Sequence, residues 1–217
     1  MKKIALIGST GSIGRQTVAV CARYPERFRI VAMAANASEE RFAAQVRSVR
    51  PAFAALRTGG GVPDLPQGVR FARGEEAFAE ACAYAGADVA VIAVTGFAGL
   101  KAALLAIGAG MDIALANKES LVAGGDLVMA AAREKGVNIF PVDSEHSAIW
   151  QCLHFDRAAP FSKLILTASG GALRDVPLER LPFVTAQDAL AHPNWDMGEK
   201  ITVDCATMLN KGFEVIE

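Results

Sequence analysis

Lys3 to Gly14 reads KIALIGSTGSIG: a short apolar run, glycines at Gly8, Gly11 and Gly14, and the first residues of a helical pattern. An apolar run with no polar alternation is what a strand buried on both faces requires. Glycines at such a junction let the backbone turn tightly and approach a pyrophosphate. The phosphate charge then meets the free N–H groups and dipole of the following helix. The spacing is GxxGxxG where the usual fingerprint is GxGxxG, so an ordinary glycine turn also fits. Its place directly after the first strand favours a dinucleotide, held by Gly8, Ser9, Thr10, Gly11, Ser12, Ile13 and Gly14.

Working outward, apolar strands alternate with longer helical patterns, the signature of crossover units around a parallel sheet. SIGRQTVAVCARYP is the first helix, halted near Tyr24 by Pro25; FRIVAMAA is the second strand, and Ser38 caps a helix that runs to Arg50. AFAAL, DVAVIAV, DIALA and NIFPV read as further strands, separated by helices over EEAFAEACAYA, GLKAALLAIGAG and GDLVMAAAREKG. Thr58 to Arg73, rich in Gly and Pro, is expected to be a surface loop or poorly packed edge. The texture changes near Asp143: SKLILTAS predicts one more strand, and Gly170 to Lys200 shows little periodicity and several prolines, as lids and binding loops do. The chain stops at Glu217 inside a helical pattern with no capping signal, which suggests a truncated chain.

A chain of 217 residues holds one large or two small domains. With 22 basic and 23 acidic residues, a formal charge of −1, it presents no field for nucleic acid or an anionic membrane, so a small-molecule partner is expected. Cys21, Cys82, Cys152 and Cys205 stand far apart without a CxxC pair, which predicts reduced thiols in the cytoplasm. The opening residues lack a basic n-region, a long apolar h-region and a cleavage site, so a secretory signal is not expected, and the apolar stretches are broken before the roughly 18 uninterrupted residues of a spanning helix.

Two further stretches bear on chemistry. The second strand ends in Asn36, Ala37 and Ser38, where an NAD-binding chain places a carboxylate about 20 residues beyond the glycine loop; its absence favours NADP, unless Ser38 only caps the helix. In PVDSEHSAIW, Asp143 and Glu145 would point the same way if the extended backbone continues. A solvated charged loop and a site for a hard cation such as Mg²⁺ or Mn²⁺ both fit, the latter with Glu214 or Glu217 as a third oxygen ligand and His146 as a helix-start residue. TASGG at Thr167–Gly171 and Asn210–Lys211 suit a phosphate, and equally an ordinary turn and a surface lysine.

Taken in order, GSTGSIG, ANKES, PVDSEHSA, TASGG, HPNWDMG and TMLNKGFEVIE resemble the 1-deoxy-D-xylulose 5-phosphate reductoisomerase family over the whole chain. The resemblance implies an α/β protein: a Rossmann-like doubly wound domain over residues 1–142, then an incomplete catalytic domain over 143–217. It implies NADPH-dependent conversion of the phosphosugar to 2-C-methyl-D-erythritol 4-phosphate, in isoprenoid synthesis, by a cytoplasmic homodimer. Asp143, Glu145 and Glu214 match the ligands of Mg²⁺ or Mn²⁺, and Lys118 matches a lysine beside the reacting oxygens. Asn36, Ser38, Asn117 and Glu119 fall among the cofactor contacts. Ser144, Ser169, His192, Trp195, Cys205, Asn210 and Lys211 fall among the substrate contacts, His192 and Trp195 on a loop that closes over the substrate.

The chain departs from the family pattern at two places. Cys205 stands where a serine is usual, and a thiol is the weaker donor. Asn36-Ala37-Ser38 lacks the usual lysine, which leaves the 2′-phosphate without its expected cation. Two other readings compete: a dinucleotide-binding fragment without catalysis, and a semialdehyde-type dehydrogenase, for which Cys152 would be the nucleophile although nothing near it activates a thiol.

Overall fold

In the computed structural model the described residues are 1–60, 64–154, 156, 158 and 160–217. They fall into two compact units, Met1–Asp143 and Ser144–Glu217.

The first unit is built on a seven-stranded, wholly parallel sheet. In chain order its strands are β1 (Lys2–Ile7), β2 (Phe28–Ala35), β3 (Phe53–Leu56), β4 (Arg70–Arg73), β5 (Val89–Ile92), β6 (Asp112–Leu115) and β7 (Ile139–Pro141). The spatial order is β4-β3-β2-β1-β5-β6-β7, so the direction of winding reverses between β1 and β5. Two helices, α1 (Ser12–Arg23) and α2 (Glu39–Val49), connect the strands on one side of that switch. Three more, α3 (Glu75–Cys82), α4 (Ala98–Gly108) and α5 (Glu119–Lys135), follow β4, β5 and β6.

The strands alternate their apolar residues between two cores. In β1, Ile4 and Leu6 pack with Cys21 of α1 and Phe42 and Val46 of α2. Ala5 and Ile7 pack with Phe78 of α3, Ala103 and Ile107 of α4 and Val128 of α5. A strand with apolar side chains on both faces needs such a layer on each side, and each large side chain so buried contributes about 1.5–3 kcal/mol. Phe42 and Phe53 are fully buried, one in each core.

Local signals set the helix ends. α1 stops at Tyr24, the residue before Pro25, and α2 ends on Arg50 in the left-handed region. Ser38 takes the N-cap position of α2 but makes no side-chain capping bond. α5 begins at Glu119, ahead of the GDLVMAAAREKG pattern, and continues through non-helical backbone at Gly124, a kink the periodicity does not reveal. Of the Gly-rich run from Thr58 to Arg73, residues 61–63 lie outside the described ones. The end of that run is not a loop: Arg70–Arg73 pairs in parallel with β3 as the edge strand.

The second unit contains α6 (Ser144–Cys152), a 3₁₀ segment (Leu178–Phe183), and helices α7 (Ala186–Leu190), α8 (Glu199–Ala206) and α9 (Leu209–Ile216). The strand expected over SKLILTAS is not formed. Leu164 and Ile165 are exposed, and no ladder supplies partners for that backbone among the described residues. The expected irregular stretch holds short helices; α7 starts in a capping box, with Thr185 accepting from the Asp188 N–H while Asp188 Oδ2 accepts from the Thr185 N–H at 2.7 Å. Extended backbone does not run on past Asp143 either. Ser144 opens α6, so Glu145 is a first-turn helical residue and the strand argument for its direction fails.

Candidate functional site

In the first unit, the glycine loop closes the carboxyl edge of the sheet at the switch point, where ligands of open α/β sheets bind. The Gly8 and Ser9 N–H groups both donate to Ala34 O, at 2.9 and 3.0 Å, which ties the loop to the end of β2. Each glycine answers to a different constraint. Gly8 has φ +95°, and a Cβ there would stand 2.5 Å from Ala93 O; a Cβ on Gly14 would stand 2.2 Å from Gly8 O. Gly11, the N-cap of α1, meets only ordinary contacts, 3.5 Å or more, and is exposed. Among the described residues no contact demands glycine at Gly11.

No acidic residue stands in the first turn of α1, and the buried Ser9 hydroxyl has no partner among the described residues. Both facts fit a dinucleotide pyrophosphate at this helix start. Thr10 and Ile13 are half-buried and Ser12 is exposed. From α2, Gln45 donates to Ser9 O at 2.8 Å and Arg41 to Thr10 O at 3.4 Å. Neither was singled out by sequence reading, although their i, i+4 spacing puts them on one face of α2. Asn36 is exposed, and its carbonyl accepts from the Thr58 N–H at 2.9 Å.

Asn117, Lys118 and Glu119 lie where β6 passes into α5. Asn117 is buried; its amide donates to Gly96 O at 3.1 Å and to Glu119 at 2.9 Å, and Oδ1 accepts from the Ser120 N–H at 3.0 Å. α4 presses so close that a Cβ on Gly99 would stand 2.1 Å from Asn117 Oδ1. Lys118, 7% exposed, forms an ion pair with Asp143 directly beyond β7. Two predicted catalytic residues are thus joined in a nearly dry pair, in which each charge compensates the other.

In the second unit, Glu145, Ser169, Cys205, Asn210 and Lys211 line one small pocket. The one-turn spacing of α9 sets Asn210, Lys211 and Glu214 side by side. Glu214, 4% exposed, accepts from Asn210 at 2.6 Å and from Lys211, whose ammonium also reaches Glu145 at 2.9 Å. Burial draws the Lys211 pKa down, but hydrogen bonds to Glu214 and Glu145 outweigh it and hold the ammonium above its usual value. Two carboxylates sharing one cation are hard oxygen donors, the set that Mg²⁺ or Mn²⁺ takes and zinc does not prefer. Ser144 donates to the other oxygen of Glu145 at 2.6 Å.

His146 places Nε2 3.0 Å from the Glu214 carbonyl, so it steadies α9 from α6. His192 Nδ1 accepts from the Asn194 and Trp195 N–H groups at 3.1 Å, which leaves the proton of the neutral ring on Nε2, 3.2 Å from Ser169 Oγ. His192 therefore touches the pocket through Ser169, whereas Trp195 is 63% exposed. Gly171 packs on Cys205, where a Cβ would stand 2.4 Å from its carbonyl oxygen. Arg174, another residue absent from the expected set, donates to Ser169 O at 3.2 Å.

Residues 4–125 match the family described as 1-deoxy-D-xylulose 5-phosphate reductoisomerase, and residues 139–217 match the C-terminal domain of that enzyme. Over its whole length the chain is 50% identical to the 1-deoxy-D-xylulose 5-phosphate reductoisomerase of Thermosynechococcus vestitus and 48% identical to that of Synechocystis sp.. It spans only 54% and 57% of those two proteins, about half the length of the curated relatives it matches. A crystal structure of DOX-P reductoisomerase in complex with NADPH, fosmidomycin and magnesium superposes with a TM-score of 0.88 at 36% identity, covering 100% of this chain and 57% of that one. The enzyme from Zymomonas mobilis in complex with NADPH gives 0.80 at 37% identity, covering 99% and 56%.

Proposed function

The chain belongs to the 1-deoxy-D-xylulose 5-phosphate reductoisomerase family, and from that membership we propose that it serves the NADPH- and cation-dependent conversion of 1-deoxy-D-xylulose 5-phosphate to 2-C-methyl-D-erythritol 4-phosphate. The observation that carries the reading is the pocket shared by Glu145, Ser169, Cys205, Asn210 and Lys211, which sets carboxylate, hydroxyl, amide and ammonium groups around one small volume. Residues 1–142 act as the nucleotide-binding domain and 143–217 as part of the metal- and substrate-binding domain. The same reading carries a cytoplasmic homodimer, which rests on the resemblance alone.

In this reading Asp143, Glu145 and Glu214 hold Mg²⁺ or Mn²⁺, and the glycine loop with Asn117 and Glu119 holds NADPH. When bound, the cation supplies Lewis-acid polarisation of the substrate's oxygens and the nicotinamide supplies a hydride. Lys118, held in place by Asp143, keeps a proton beside the substrate's oxygens. Lys211, Asn210 and Ser169 bind and orient the substrate through its phosphate and hydroxyls, Lys211 by charge and the others by hydrogen bonds. His192 fixes the Ser169 hydroxyl, and its neighbour Trp195 excludes water when its segment closes. Cys205 leaves the phosphate with a weaker donor than a hydroxyl.

The test follows nicotinamide absorbance with 1-deoxy-D-xylulose 5-phosphate, with and without Mn²⁺, on this chain and on Asp143→Asn, alongside calorimetric titration with fosmidomycin and Mg²⁺. Metal-dependent oxidation lost in the variant supports the whole reading. NADPH and fosmidomycin binding without turnover would confine these residues to binding, and binding of neither would refute it.

A further inference from the structure

NADP differs from NAD by a phosphate on the adenosine 2′-oxygen. A Rossmann-type chain meets that position with a carboxylate after the second strand for NAD, or with a nearby arginine for NADP. Here the residues after β2 are Asn36, Ala37 and Ser38, which supply neither charge. From the geometry of α2 we infer that Arg41 is the cation that receives the 2′-phosphate and so sets the preference for NADPH over NADH. The inference rests on the nucleotide reading above.

Three observations place Arg41 in that role. It is near the correct spot: the end of β2 is bound to the glycine loop through Ala34 O, and Arg41, in the first turn of α2, reaches back to Thr10 O at 3.4 Å. It is held there, because Gln45, one turn further on, donates to Ser9 O at 2.8 Å and draws the same helix face onto the loop. Its charge is available. Arg57 is committed to Glu75, and Arg73 to the carbonyls of Gly59 and Gly60, whereas Arg41 has no carboxylate partner among the described residues. One long bond to a neutral carbonyl leaves most of its five N–H donors free for a phosphate.

The charge that could repel a phosphate here is Glu39, in the same turn. Its carboxylate is engaged by the Gly60 N–H in the loop after β3. Glu40 is exposed and about 100° round the helix from Arg41.

The test is equilibrium titration of the full chain with NADPH and, separately, NADH, read by nicotinamide fluorescence, for the wild type, Arg41→Ala and Arg41→Lys. Expected is a loss of NADPH affinity of about 10- to 100-fold in Arg41→Ala, partial recovery in Arg41→Lys, and NADH affinity within about two-fold of wild type throughout. Equal losses for both nucleotides would show that Arg41 only supports the loop through Thr10, and an unchanged NADPH affinity would remove it from the site; either overturns the inference while leaving the nucleotide reading intact. Failure of the wild type to bind either nucleotide would overturn both.

Discussion

The ammonium of Lys211 on α9 lies 2.9 Å from Oε1 of Glu145 on α6, and the same nitrogen neutralises the buried Glu214. One side chain therefore offsets two carboxylates that would otherwise repel each other at low dielectric. In Lys211→Met the carboxylates lose that cation, at a cost of about 3–5 kcal/mol for a buried pair broken on one side. A divalent cation offsets the same charge. Thermal melts are expected to show a lower midpoint for Lys211→Met and a larger upward shift on adding Mg²⁺ than the wild type shows. Identical Mg²⁺ responses would mean that these carboxylates do not share an ion site.

Gly14 and Gly125 are both helical glycines and should respond in opposite directions to alanine. A Cβ at Gly14 falls 2.2 Å from Gly8 O and 2.6 Å from the Ser9 carbonyl carbon, both backbone atoms that cannot swing aside. Gly14→Ala is expected to cost about 1–3 kcal/mol and to weaken NADPH binding by moving the loop. At Gly125 nothing lies within 4 Å, so Gly125→Ala should gain about 0.5–1 kcal/mol from helix propensity alone. Urea unfolding of the two variants checks the signs. Equal and small effects would mean that α1 does not press on the loop.

Cys82 is wholly buried at the end of α3, and burial pushes its thiol up to about 12 from a usual value of 9.0. Between those values the folded chain keeps a proton that the unfolded chain releases. This contribution is fully present below pH 9.0 and is lost as pH rises toward about 12, with a slope of up to about 1.4 kcal/mol per pH unit. Unfolding free energies measured across this window should fall less steeply for Cys82→Ala than for wild type. Parallel curves would place the thiol in contact with solvent.

Apart from the edge strand β4, whose RFAR sequence carries no apolar run, element types in the first unit were legible because the other strands are built on apolar runs and each helix carries its own apolar period, signals that lie within ten or so residues. Ile4 and Leu6 against Ala5 and Ile7 show the two-faced strand directly in their order. SKLILTAS carries the same apolar signal and forms no strand, because a strand exists only with a partner along its edge, and composition does not report the partner. The short helix α8 went unread for the complementary reason. It follows an irregular, proline-bearing stretch, and its eight residues contain barely two turns of pattern.

By itself, the sequence determined the parallel α/β class, the glycine loop at the end of β1, and the residue types gathered for charge and phosphate chemistry, since these follow from local steric and hydrophobic demands. Tertiary structure alone decided which charges meet. Lys118 pairs with Asp143 across 25 residues, Lys211 joins Glu145 across 66, and Arg41 comes to the glycine loop across 31. Coulomb and hydrogen-bond energies depend on separation in space, and chain order constrains that separation only after packing has folded the intervening elements onto one another.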